Sequence, residues 1–320
     1  MVLDFIENQF QFAEMNIRYT GSMDKLMTLL RRAVRMGYDS IVINTDIGDP
    51  DKDVDEILNP DSEPPRKKKK GRYVNREDAI PDPVQVDKSA LDVAVLENNG
   101  KKLRLFSRLT VVVTDTTAIH MLMHHPQVRK YDLLAVRVSE EQTLQTLSRK
   151  GDFVDIITFD QESSSIPWLF KSKIINSCIS AGISFEVSYA DALKDASRRR
   201  QILTNARQLM IATRGGRGVV LDSGAEEMID LRAPFDAINI AVLFGVRHED
   251  SRKLIAGNAK AALRRAESRR TLKGAVHVSS LDQVPSRSLD RKSALQRLMS
   301  VPEFKAQVEL LDNEENGTKN

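Results

Sequence analysis

Short apolar runs alternate with amphipathic stretches along most of this chain. Residues 12–19, FAEMNIRY, alternate apolar and polar positions with the period of a strand. Ser22 follows in a helix-capping position, ahead of Leu26, Leu29, Leu30, Ala33 and Val34 on one stripe. Gly37 stands where a left-handed terminating residue belongs. Residues 39–44, DSIVIN, read as the next strand. Strand, helix and strand at this spacing make a βαβ unit, which predicts a parallel sheet with right-handed crossovers. The alternation resumes with strands predicted over 109–113, 133–138, 154–158, 183–187 and 219–221. Helical patterns follow them over 118–124, 140–148, 168–181, 192–212 and 235–245, and a further helix spans 250–265.

Seven short, nearly continuous apolar strands, each followed by a helix, predict a closed or nearly closed α/β barrel, with a doubly wound open sheet as the alternative. Residues 47–88 break the rhythm with prolines, acids and the run PPRKKKKGR. They carry too little apolar material to order themselves and read as a flexible basic insertion after the second strand. Within it Arg66, Lys67, Lys68, Lys69 and Lys70 form a candidate nuclear-localisation run, the alternatives being an RNA-touching arm or plain solvated charge. The barrel domain is therefore assigned to 1–46 and 89–276. Residues 277–320 read as a flexible tail with one short helix at 294–299.

With 320 residues, 41% apolar and 29% charged, the chain can bury a full core. The first residues, MVLDFIENQFQF, lack a basic start with an apolar core, and no run approaches the ~20 apolar residues that span a bilayer, so a soluble, non-secreted protein is expected. Cys178 is the only cysteine, which excludes an intramolecular disulfide and fits a reducing compartment.

A net charge of +3 conceals a strong asymmetry. Residues 191–217 carry seven basic side chains against Asp191 and Asp195, and residues 246–273 carry nine against Glu249, Asp250 and Glu267. Such clustering is the electrostatic footprint of phosphate-backbone binding, although charge alone does not separate RNA from DNA or an acidic protein. Arg200 and Arg207 fall two turns apart on the outer edge of the 192–212 helix. Arg199 falls inside its apolar arc, where it must snorkel or find a partner, and Glu186 and Asp195 are the candidates.

Chemistry in an α/β barrel sits at the strand C-termini. The residues placed there are Glu14, Asn16, Arg18, Asn44, Asp46, Thr114, Asp115, Asp160, Glu186, Ser188, Asp222 and Ser223. An all-oxygen set of Asp46, Asp115, Asp160, Glu186 and Asp222 would suit Mg²⁺, so a phosphoesterase or nuclease is the competing enzyme reading. Among the histidines, His120, His124 and His125 share one predicted helix without a third ligand, and His248 and His277 stand alone. LDSGAE around Ser223 is not a nucleophile elbow, though the Ser223 and Gly224 backbone could cradle a phosphate. RGGRG at 214–218 reads equally as an RNA-binding segment or a glycine helix stop.

Four segments, SRLTVVV at 107–113, FEVSYADALKDASRRR at 185–200, IDLRAPFDAINIAVLFG at 229–245 and NAKAALRRAESRR at 258–270, resemble the barrel-type protein subunit of eukaryotic nuclear ribonuclease P. The resemblance runs from about residue 12 to 273. It implies a TIM-like, distorted seven-stranded barrel related to metal-dependent phosphoesterases. Those enzymes carry a His-x-His pair on the first strand, where this chain has Glu14, Met15 and Asn16. The resemblance thus implies a subunit without a catalytic residue or metal of its own, in ribonuclease P and its relative RNase MRP, where the RNA component and its Mg²⁺ remove the 5′ leader of precursor tRNA. The implied partners are that RNA and MRP RNA, a small Pop-five-type α/β subunit, with two such pairs forming a heterotetramer, other ribonuclease P proteins and, indirectly, precursor tRNA. No membrane partner is implied, and a nuclear and nucleolar location is. The RNA-binding set expected on charge and resemblance is Lys194, Arg198, Arg199, Arg200, Arg207, Arg232, Arg264, Arg265, Arg269, Arg270 and Lys273. A strip of Ala237, Ile240, Val242, Leu243 and Phe244 is a candidate subunit contact, with core packing as the favoured alternative.

Overall fold

The computed structural model describes residues 12–48, 80–113 and 116–270. Arg66 to Lys70, Asp115, Lys273, His277 and the tail lie outside the described residues.

Seven parallel strands are hydrogen-bonded in sequence order: β1 Ala13–Arg18, β2 Ser40–Asp46, β3 Arg104–Val113, β4 Leu133–Val138, β5 Ile156–Thr158, β6 Ser184–Ser188 and β7 Val219–Asp222. β1 and β7 are the two ends of the ladder. Just past β7, Ile17 forms a parallel bridge with Ala225, and the Arg18 N–H donates to the Ala225 carbonyl at 2.9 Å, so the sheet curls into a nearly closed barrel. This settles the barrel against the open sheet.

The helices are α1 Met23–Arg35, α2 Ala94–Asn98, α3 Thr116–His124, α4 Glu141–Lys150, α5 Ser172–Ser180, α6 Ala190–Lys194, α7 Ala196–Ala212, α8 Pro234–Leu243, α9 His248–Ile255 and α10 Gly257–Arg269. α1 is capped as its sequence predicts: the Ser22 side chain accepts from the Lys25 N–H, and Gly37 closes the turn at φ +96°. Two helices expected to be continuous are broken. Asp195 takes an extended conformation and accepts from the Ser197 and Arg198 N–H groups, so it ends α6 and starts α7 as an N-cap. Ala256, at φ −116° and ψ −75°, separates α9 from α10.

Residues 80–88, expected within the flexible insertion, are instead laid against the barrel. Ile80 is buried, the Tyr131 hydroxyl donates to the Pro81 carbonyl at 2.9 Å, and Lys130 pairs with Asp82 at 2.7 Å.

The core has two parts. The larger lies between strands and helices and gathers the outward strand residues, such as Ile41, Ile43, Val111, Leu134 and Val136, with Trp168, Leu209 and other helix residues. The smaller fills the lower lumen. There Ala13, Met15, Val42, Leu133, Ala135, Ile156 and Val220 pack on Ala259, Ala262, Leu263 and Ala266 of α10. This helix therefore plugs the end where the strands begin. Its small residues let the helix backbone approach the strands, and Leu263 alone contributes about 2 kcal/mol by leaving water.

A bulge in β1 shapes what lies above that plug. Ala13 and Glu14 pair with Ser40 and Ile41, while Ile17 and Arg18 pair with Ile43 and Asn44, so Met15 and Asn16 together oppose Val42. The extra residue reverses the alternation. Met15 belongs to the lumen core and Ile17 to the outer core, and Asn16 and Arg18 line the mouth with no return of Glu14 to that face.

Candidate functional site

Above the apolar plug the lumen turns polar. Phase-2 spacing carries Asn44 of β2, Arg108 and Thr110 of β3, Thr158 of β5, Glu186 of β6 and Asp222 of β7 to one level, and all are buried. At its centre the Arg108 guanidinium meets the Glu186 carboxylate with two prongs: Nη1 donates to Oε1, and Nη2 to Oε2 at 2.7 Å. Both side chains are withdrawn from water, at 0% and 1% exposure.

The pair belongs to a closed ring of hydrogen bonds. Arg108 Nε donates to Thr110 Oγ1 at 3.1 Å, and Thr110 Oγ1 donates to Asn44 Oδ1 at 2.7 Å. Asn44 Nδ2 donates to Asn16 Oδ1 at 2.8 Å, and Asn16 Nδ2 returns to Glu186 Oε1 at 3.3 Å. Arg108 Nη1 also reaches the Met15 carbonyl at 3.1 Å, an oxygen presented by the bulge. A buried charge pair is tolerable only when its remaining donors and acceptors are satisfied, and this ring supplies that.

The electrostatics follow from the same contacts. Burial alone would push Glu186 up, but the charge and hydrogen bonds of Arg108 hold it down, at about 2. Asp222 is pushed well above the usual carboxylate range, first by burial and then by the Glu186 charge. Its Oδ1 accepts from Ser188 Oγ at 2.7 Å, and its Oδ2 is buried with no hydrogen-bond partner within bonding geometry among the described residues.

Glu14 sits apart, on the outer side of β1. Its Oε1 accepts from the Ser223 N–H at 2.9 Å and the Asn16 N–H at 3.2 Å, and Oε2 is buried with no hydrogen-bond partner among the described residues. Burial raises it to about 7. This carboxylate ties β1 to the segment after β7, so its task is closure of the barrel. The Ser223 N–H is consumed there and is not offered to a phosphate. Gly224 follows at φ +61°, and a Cβ on it would come within 3.0 Å of the Ser188 side chain, so the closing segment needs glycine here.

Above this level a cleft of about 280 Å³ opens at the mouth. Its rim is laced with ion pairs: Arg137 with Asp46, Arg18 with Glu226 at 2.9 Å and with Asp191 at 3.9 Å, and Arg198 with Glu162 at 3.4 Å. The carboxylates expected to gather around Mg²⁺ thus have other occupations. Glu186 is saturated by a guanidinium, Asp222 accepts from Ser188, Asp46 faces Arg137, and Asp160 accepts from the Glu162 N–H in a turn. Among the described residues no three of His, Cys, Asp and Glu converge on a point that would hold an ion. The described members of this donor set do not fit a divalent cation. His120 and His124 lie side by side on α3 with ring centroids 4.8 Å apart and ring planes tilted by 51°.

The ten described members of the predicted RNA-binding set fall on opposite ends of the barrel. Lys194 and Arg198 lie by the mouth, where Lys194 pairs with Asp230 at 3.0 Å. Arg199 does not pair with Glu186 or Asp195, which are occupied by Arg108 and by the helix cap. Its Nε donates to the Ala192 carbonyl at 2.7 Å, pinning the bend between α6 and α7. Arg232 is half-buried and donates to the carbonyls of Ile229 and Leu231.

At the far end Arg265, Arg269 and Arg270 serve α10. Arg269 pairs with the buried Asp155 at 2.8 Å, Arg270 with Asp132, and Arg265 donates to the carbonyls of Ala181 and Val154 below β5 and β6. Arg200, Arg207 and Arg264 stay exposed, and of the three only Arg207 has a described bond, to the Leu243 carbonyl. In the candidate subunit strip Ala237 and Phe244 are core residues, whereas Val242 and Leu243 are exposed. RGGRG is a helix stop: Arg214, Gly215, Gly216 and Gly218 all take positive φ at the end of α7.

Sequence reasoning missed Arg108 and Arg137, and it placed Arg18 at the strand ends. The usable signal was phase: Arg108 shares the inward register of β3 with Thr110, and Glu186 holds the matching inward position on β6.

A seven-stranded, nearly closed parallel barrel with a plugged base and an arginine at its centre defines the class as an α/β barrel. The RNase P subunit p30 family model matches residues 11–271, which is the whole described barrel, and the chain belongs to that family. It is 27% identical over 266 residues to ribonuclease P protein subunit p30 of Mus musculus, covering 83% of this chain and 89% of that protein. It is 31% identical over 170 residues to probable ribonuclease P protein subunit 3 of Schizosaccharomyces pombe, covering 53% and 70%. A chain in the cryo-EM structure of archaeal ribonuclease P with mature tRNA superposes with a TM-score of 0.53 at 12% identity, over 83% of this chain and 98% of that one, a likeness of fold.

Proposed function

We propose that this chain is a non-catalytic protein subunit of nuclear ribonuclease P, and of RNase MRP, that binds and stabilises the RNA which removes the 5′ leader of precursor tRNA. Membership of the p30 family along the whole barrel carries this reading. Two features support it. Arginines pair with Glu186 and Asp46 at the centre and mouth of the barrel, and Arg200, Arg207 and Arg264 remain exposed for phosphates. Mg²⁺ belongs to the RNA in this account. The protein partner is a small Pop-five-type subunit, paired and doubled into a heterotetramer, with Val242 and Leu243 as the exposed part of its seat. The complex works in the nucleus and nucleolus.

Binding of the purified chain to transcribed ribonuclease P RNA over a salt series tests this. Log affinity should fall linearly and steeply with log salt, as it does when several phosphates are neutralised. A flat salt dependence would remove the RNA from the account.

A further inference from the structure

We propose that the centre of the barrel is a cation-binding site whose occupant is the chain's own Arg108 head group, so that a chain lacking this side chain takes up free guanidinium there. The claim concerns the barrel's interior and stands whether or not the chain binds RNA.

Three observations carry it. First, the walls around the guanidinium are oxygens drawn from four strands: both Glu186 oxygens, Thr110 Oγ1 and the Met15 carbonyl as direct acceptors, with Asn16 and Asn44 completing the ring. Second, Asp222 stands beside Glu186, fully buried and with Oδ2 unpartnered among the described residues. The buried Glu186 carboxylate holds a negative charge that a cation offsets, since an unpaired carboxylate in the interior is costly. Third, the acceptors hold themselves in place. Thr110, Asn44, Asn16 and Glu186 are linked to one another by bonds that do not pass through Arg108. The cage therefore survives loss of the head group, and the β1 bulge still presents the Met15 carbonyl.

Truncation by Arg108→Ala opens a void with the planar geometry of a guanidinium and a charge of the right sign. Free guanidinium fits because its N–H fork matches a carboxylate with two parallel bonds, which a monatomic or bulky cation does not reproduce. A ligand that binds only the folded chain raises its midpoint of unfolding.

The test uses the full chain in three forms: unaltered, R108A, and R108A with Glu186→Gln. Thermal unfolding is followed as guanidinium chloride is raised through concentrations well below denaturing ones, against tetramethylammonium chloride at matched ionic strength. The R108A midpoint should rise by about 3 °C or more and saturate, while the unaltered chain and the double variant show no rise. A midpoint for R108A that falls or stays level in guanidinium overturns the proposal, as does an equal rise in the double variant. Should R108A be isolated unfolded, its refolding from urea is measured with and without guanidinium. Recovery that requires guanidinium supports the site, and no recovery in either condition overturns it.

Discussion

Arg108 and Glu186 lie 78 residues apart in sequence and meet as a two-pronged ion pair in the middle of the barrel, on strands β3 and β6. Neither has access to water, so each depends on the other. Arg108→Leu or Glu186→Gln alone should cost about 3–5 kcal/mol, because each leaves a buried group uncompensated. The double variant should cost clearly less than the sum. Urea unfolding of the four proteins measures this, and additive losses would show that the pair is not coupled.

Glu14 gives a second, pH-dependent prediction. Its folded value is about 7 against an ordinary 4.5, so between these limits the folded chain binds more protons than the unfolded one. Stability must then fall as pH rises from 4.5 through 7. Glu186, held at about 2, has the opposite sign, and its contribution is lost only as pH falls below 4.5. Glu14→Gln keeps an acceptor for the Ser223 N–H and removes the ionisation. It should be close to neutral at pH 5 and stabilising at pH 8, by on the order of 2 kcal/mol. Equal effects at both pH values would place the Glu14 proton elsewhere.

The arginines of the two basic clusters should separate on mutation into structural and RNA-facing ones. Arg269 is tied to Asp155, whose side chain is fully buried, so Arg269→Ala should lower stability by about 2–4 kcal/mol. Its effect on RNA affinity should vanish under conditions where the variant is folded. Arg264→Ala and Arg200→Ala should leave the unfolding midpoint unchanged and each reduce the salt slope of RNA binding by about 1. Calorimetry beside filter binding reads both, and a loss of RNA affinity confined to R269A would reverse the assignment.

Asp195 marks the bend between α6 and α7. Removing its cap by Asp195→Ala should cost about 1 kcal/mol, and Asp195→Asn much less, because asparagine accepts the same two N–H bonds. Chemical denaturation distinguishes a cap from a charge effect: if the asparagine variant loses as much as alanine, the charge was what mattered.

The strands, their parallel order and the helix at 23–35 were legible because period and capping are local properties: Ser22 and Gly37 bracket a helix by their own chemistry. The bulge in β1 was not. Strict alternation puts Glu14, Asn16 and Arg18 on one face, and only pairing with β2 shows that Met15 and Asn16 share one partner, sending Glu14 outward. Charge clustering was visible but not its use. Arg265 and Arg269 sit in a run that looks like an anion-binding surface, yet helix α10 turns them onto Asp155 and the strand-end carbonyls, partners more than a hundred residues away. Arg108 was passed over because a lone arginine in RLTVVV looks like an edge charge until the barrel closes around it.

The central claim, that this chain works as part of a ribonucleoprotein and is not itself the nuclease, is tested most directly by isolating the tagged chain from nuclear extract. The co-purifying RNA is sequenced, and the eluate is assayed on precursor tRNA before and after nuclease treatment. The account predicts one structured RNA, with 5′ processing lost when that RNA is destroyed. Processing that survives nuclease in the purified recombinant chain, and is abolished by chelator, would contradict it and return the chemistry to the carboxylates at the mouth.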